Sequence, residues 1–107
     1  MAKIDWTTKF LKLLDANISY ASIEFGHSTA IRWAEEIAVF EDRVQDNPTS
    51  YAPESLLSGK KKLYRRCHIM NRRFKIIYYY DEAEDTVHLV DIWDTRMNPK
   101  TLIKRIR

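Results

Sequence analysis

Glycine and proline are scarce in this chain, with two of the first and three of the second among 107 residues. That is too few for a linker-rich or disordered segment. A single cysteine, Cys67, excludes an internal disulfide and any cysteine-built zinc site, and fits a reducing compartment. No apolar run approaches the roughly 20 residues of a membrane-spanning helix. The first residues, Met1 to Trp6, hold too few apolar side chains for a secretory leader, so a cytoplasmic protein is expected. Repeats and low-complexity segments are absent. What remains is 45% apolar and 31% charged residues, an ordinary globular composition with room for one domain, residues 1–107, around one modest core.

One further absence is local. Between Ser55 and Tyr80 there is no acidic residue, while Lys60, Lys61, Lys62, Arg65, Arg66, Arg72, Arg73 and Lys75 give the stretch eight positive charges. The acids lie elsewhere. Residues 1–54 carry five bases and nine acids, residues 81–95 carry six acids and no base, and residues 96–107 carry five bases, which restores the net +3 of the chain. Eight like charges on paired strands repel one another, so their concentration points to a surface that meets phosphate, and nucleic acid is the commonest polyphosphate in a cell. The acidic run at Asp81, Glu82, Glu84 and Asp85 reads instead as a solvated hairpin loop.

Hydrophobic spacing gives the elements. Lys3 to Trp6 reads as a short strand. From Thr8, with Thr7 or Thr8 as cap, Phe10, Leu11, Leu13, Leu14, Ile18 and Ala21 recur at helical spacing. Phe25-Gly26-His27 breaks that helix, and Ser28 is placed to cap a second one with a stripe through Ile31, Ala34, Ile37, Ala38, Phe40 and Val44. Asp46-Asn47-Pro48 stops it, and residues 47–59 form an irregular loop. Strands follow over 62–69, 74–80 and 86–94, with Asn71-Arg72 in the first turn. The run Phe74 to Tyr80 does not alternate, which predicts a central strand covered on both faces. Asn98-Pro99 opens a short C-terminal helix. The fold class is α+β: an N-terminal helical hairpin on one face of a small antiparallel sheet.

The order strand–helix–helix–strand–strand–strand, with three local patterns, resembles the RelE/ParE superfamily of bacterial toxins, whose genes are often labelled plasmid stabilisation proteins. The patterns are Leu63-Tyr64-Arg65-Arg66 after a loop with Pro and Gly, Phe74-Lys75-Ile76-Ile77-Tyr78, and the segment Val90 to Pro99 with Arg96 just past a strand. The resemblance covers about Thr8 to Pro99. It implies the toxin of a type II toxin–antitoxin module, partnered by a cognate antitoxin. Some members cleave mRNA on the ribosome without a metal, others poison DNA gyrase, and a few have lost toxicity, so fold does not settle activity.

Metal-free RNA cleavage needs a base for the ribose 2′-hydroxyl, cations for the phosphorane, and an acid for the leaving oxygen. No cofactor is called for. Carried over from the resemblance, the catalytic candidates are Arg65, Lys75 and Arg96, with Lys60, Lys61, Lys62, Arg66, Arg72 and Arg73 as the nucleic-acid-binding surface. Arg96 matches the arginine that closes the last strand in both branches, and Lys75 the basic residue of the central strand. Arg65 lies near a position that holds lysine in the ribonuclease branch. A second lysine of that branch falls on Cys67, which cannot replace it. That branch also often carries a Tyr or His near the C-terminus, and Met97 to Arg107 contains neither. His68, His88, Tyr64 and Tyr79 remain candidates by residue type alone. The expectation is therefore an mRNA endonuclease, with a non-catalytic gyrase inhibitor or an inactive antitoxin-binding relative as the alternatives.

Overall fold

The computed structural model describes residues 1–106. Its elements are β1 (Lys3–Asp5), α1 (Thr8–Phe25), α2 (His27–Asp46), a 3-10 turn (Ser55–Leu57), β2 (Tyr64–Ile69), β3 (Phe74–Asp81), β4 (Thr86–Asp94) and α3 (Pro99–Arg105). The sheet order is β1-β4-β3-β2. The three long strands form the expected meander, but β1 joins β4 in parallel, so the sheet is mixed. The helical hairpin that separates β1 from the meander carries the chain back across the sheet, and that crossover permits a parallel pair.

Thr7 starts α1. Its hydroxyl accepts from the Phe10 N–H at 3.2 Å and donates to the Leu89 carbonyl at 2.8 Å, which fixes the helix start to β4. The second helix begins one residue before the expected Ser28 cap. Gly26 holds the cap position at φ 95°, ψ 175°, with no side-chain cap bond, and His27 is already helical. Glycine adopts that backbone region at no steric cost, so two long helices meet across one residue. A Cβ at Gly26 would meet nothing within 4 Å. Gly26→Ala therefore isolates backbone strain. It is expected to cost ~1–3 kcal/mol in urea denaturation without altering the fold; an unchanged midpoint would show that the hinge tolerates a side chain.

The main core lies between the hairpin and the sheet. Phe10 of α1 and Trp33, Ile37, Phe40 and Val44 of α2 pack on Ile76, Tyr78, Val87, Leu89 and Ile92. A second, smaller core lies on the opposite face, where Leu57, Leu102 and Ile106 cover Tyr64, Ile77 and Trp93. Strand β3 sits between β2 and β4 with Ile76, Ile77 and Tyr78 all fully buried, which is why its apolar run fails to alternate. The β3–β4 register also slips at Ile77/Tyr78, where Ile77 faces Asp91 but Tyr78 faces Leu89, leaving Val90 as a bulge. The bulge reverses the phase of β4, so Asp91 and Trp93 point to the second core while Ile92 points to the first.

The strand expected from Lys62 begins at Tyr64, because Lys60 to Lys62 form a bend and Leu63 is irregular. The β2–β3 turn has three consecutive non-glycine residues with positive φ, Met70, Asn71 and Arg72. Helix α2 holds it in place: Glu36 accepts from the Met70 N–H and Arg32 donates to Asn71, each at 2.8 Å. Arg32 and Glu36 are themselves paired at 2.8 Å.

Candidate functional site

Cross-strand pairing decides which cations share a face. Arg65 pairs with Tyr78, whose ring lies in the helix-side core, whereas Lys75 pairs with His68 and Trp93 on the other side of the sheet. The structure therefore does not bring Arg65 and Lys75 together. Arg65 lies under the loop that follows α2, where its guanidinium donates to the Tyr51 carbonyl at 2.7 Å. Arg96 follows β4. Its backbone N–H, Nε and Nη2 contact the Asp94 carboxylate at 3.0, 3.4 and 3.3 Å, while 64% of its side chain stays exposed. Partial burial pushes the Asp94 carboxyl up, but these hydrogen bonds and the Arg96 charge outweigh it and hold the group below its ordinary range. Asp94 pairs with Phe74, four positions along β3 from the partner of Arg65, or roughly 13 Å of strand.

Lys75 has the most defined environment of the three. Its Nζ lies 2.8 and 2.9 Å from the two oxygens of Glu54, a residue only 2% exposed. Glu54 belongs to the loop before the basic stretch, and its N–H donates to the Tyr64 carbonyl at 2.8 Å. Arg66, on the same face as Lys75, donates to the Pro53 carbonyl and places its Nε 3.7 Å from Glu54. Glu54 is the member of this cluster that the sequence did not reveal. It stands one position before the acid-free stretch, in an irregular loop, and only the folded strap of residues 52–54 along β2 carries it over Lys75.

The remaining cations are dispersed. Lys60, Lys61 and Lys62 rim a cavity of about 320 Å³ with Ser55 and Ser58, and the Lys62 ammonium sits 4.4 Å from the centre of the Tyr79 ring. Arg72 lies in the β2–β3 turn. Together with Lys75 and Arg66 it surrounds His68, whose pKa is lowered first by burial and then by these three charges. The imidazole is therefore neutral at pH 7. Arg73 lies on the helix side, 5.6 Å over Phe74, with Nε buried and lacking a hydrogen-bond partner among the described residues. Arg73, Arg96 and Arg105 border one cavity of about 330 Å³ beside Tyr20 and Phe74. His88 contacts Asp5 at 2.8 Å and stacks on Tyr79. Cys67 is buried, on the helix-side core.

The sheet thus has two cationic zones, one on the face away from the helical hairpin around Lys75, Arg66, His68 and Arg72, the other at the helix-side end around Arg73 and Arg96. No group of His, Cys, Asp and Glu able to hold a metal occurs among the described residues, and no helix among them is long and apolar enough to cross a membrane. A helical hairpin on a four-stranded mixed sheet, closed by a short C-terminal helix, is the architecture of the RelE/ParE-like toxins. The family described as ParE toxin of type II toxin-antitoxin system, parDE, matches residues 4–99, and the chain belongs to it. No curated protein matches the chain. Membership makes this a type II toxin–antitoxin toxin with a cognate antitoxin as partner.

Proposed function

We propose that this toxin blocks growth by binding its target, as a ParE-like inhibitor of DNA gyrase, and not by cutting RNA. The observation that carries this reading is the dispersal of Arg65, Lys75 and Arg96. One is tied to a backbone carbonyl on the helix side, one is neutralised by Glu54 on the opposite face, and one is paired with Asp94 beyond the end of β4. Phosphoryl-transfer chemistry needs its base and cations around one phosphorus, within hydrogen-bond reach of it. Contact inhibition needs only a rigid, charged surface. The antitoxin on this reading presents an acidic, amphipathic segment that covers the basic face and the groove beside the helical hairpin.

A second reading, ribosome-dependent mRNA cleavage in the cytoplasm, draws support from His68. A neutral imidazole among three cations has the protonation state a general base requires. Tightly induced expression in a bacterial host, with parallel pulse labelling of DNA and protein synthesis, separates the two. The expected result is early collapse of DNA synthesis with a damage response and intact transcripts. Early collapse of protein synthesis with cut mRNA would overturn the gyrase reading in favour of the second.

A further inference from the structure

The face of the sheet away from the helical hairpin holds an anion site that already has an anion in it. Lys75 of β3 and Arg66 of β2 converge on Glu54, and the carboxylate takes both hydrogen bonds of a bidentate contact from Lys75 at 2.8 and 2.9 Å. A carboxylate with two oxygens facing an ammonium and a guanidinium makes the contacts that two phosphate oxygens would make. Arg72 adds a third cation to this zone, and with Lys75 and Arg66 it disfavours a proton on the neighbouring His68 ring. Glu54 is the acid of this zone, and it is delivered by a strap paired to the free edge of β2 through Pro53 and Arg65.

We infer that Glu54 is a built-in competitor for phosphate, occupying from within the chain a site made by Lys75 and Arg66 and so limiting how tightly this face binds a nucleic-acid strand. The ligand class is a phosphodiester backbone. The inference reaches beyond the proposed target, because it concerns which charges of the face are available to any strand. Its outcome is read on purified protein, so it is separable from the result of pulse labelling. Replacing Glu54 by glutamine keeps a hydrogen-bond acceptor for Lys75 and removes the negative charge. Lys75 and Arg66 then keep hydrogen-bond acceptors but lose their internal countercharge, which frees about one phosphate contact.

The test is fluorescence anisotropy of a labelled 20-nucleotide oligothymidylate at 50 and 200 mM salt. Glu54→Gln is expected to tighten binding about tenfold at the lower salt and to steepen the salt dependence by roughly 0.7 in log–log slope, the value for one further phosphate on a single strand. Glu35→Gln removes one charge from an exposed position of α2 and is expected to stay within about twofold of the parent. An equal gain from Glu35→Gln would reduce the effect to net charge and overturn the inference, as would unchanged binding by Glu54→Gln. A thermal melt confirms that each variant is folded at the assay temperature. Arg66→Gln in the parent background gives an independent reading: weakening of threefold or more is expected, and no weakening counts against the site.

Discussion

Lys75→Met is expected to lower the free energy of unfolding by about 3 kcal/mol, the lower end of the ~3–5 kcal/mol lost when one partner of a buried ion pair is removed. Glu54 is the reason. Its side chain is 1% exposed and that of Lys75 14%, so the methionine leaves a carboxylate out of water, with only the longer 3.7 Å contact from Arg66 to compensate it among the described residues. That remaining cation places the effect at the lower end. For a chain of this length it corresponds to a fall in Tm of roughly 12 °C. The reverse change, Glu54→Gln, is expected to cost less, because the flexible lysine stem can carry its ammonium to solvent. Removing both charges, as Glu54→Leu with Lys75→Met, is expected to recover most of the loss, since an apolar pair carries no desolvation penalty. Urea denaturation of the two singles and the double closes the cycle. A Lys75→Met midpoint within 0.5 kcal/mol of the parent would mean that Glu54 finds water or Arg66 without cost. The neutralisation of Lys75 would then be too weak to matter for anion binding either.

Most of the fold was legible in the chain, because its signals are local. Helical spacing placed α1 and α2, the hydroxyl of Thr7 marked the start, and Asn98-Pro99 marked α3, where the Asn98 side chain accepts from the Lys100 N–H at 3.0 Å. Two features were out of reach for a physical reason. The parallel pairing of β1 is set by where the hairpin returns the chain, and three residues hold too little pattern to declare an edge. The Val90 bulge was equally hidden: Val87, Leu89, Asp91 and Trp93 alternate cleanly in sequence, and only the slipped register turns Asp91 away from the main core. The site was less legible than the fold. Composition found the cations, but whether a cation is free depends on which acid the tertiary structure brings to it. Glu54 reaches Lys75 across 21 positions of sequence and Asp91 meets Arg105 across 14, and of these three acids only Asp94 meets its partner locally. Arg65 and Arg66 alternate along β2 and so face opposite ways, the first held by the Tyr51 carbonyl and the second by the Pro53 carbonyl.

The bulge has an energetic consequence that Arg105→Ala would expose. Asp91 is fully buried beside Trp93, and among the described residues its one hydrogen bond from a side chain is the 2.6 Å contact from Arg105 of α3, with no partner for Oδ2. Burial pushes its carboxyl above the ordinary range, and the charges of Arg105 and Lys9 pull it part of the way back. Truncating Arg105 removes the nearer charge and also its packing over the Trp93 ring, 5.4 Å away. The expected loss at neutral pH is ~3 kcal/mol or more. Asp91→Asn should be nearly neutral by contrast, because Arg105 keeps 29% of its side chain exposed and can turn to water. The sign of the pH dependence follows from the raised carboxyl. In the fold Asp91 binds its proton more tightly than in the unfolded chain, so its contribution is fully present below about pH 3.9 and falls as pH rises through the folded value. Without Arg105 the folded value rises further, and the variant escapes the penalty only where Asp91 is protonated. Urea midpoints for Arg105→Ala should therefore approach those of the parent as pH is lowered from about 7 towards 4.5, while Asp91→Asn shows no such convergence. A deficit for Arg105→Ala that stays constant across that range would assign the loss to the contact with Trp93 and the seating of Leu102 and Ile106, with the buried charge playing no part.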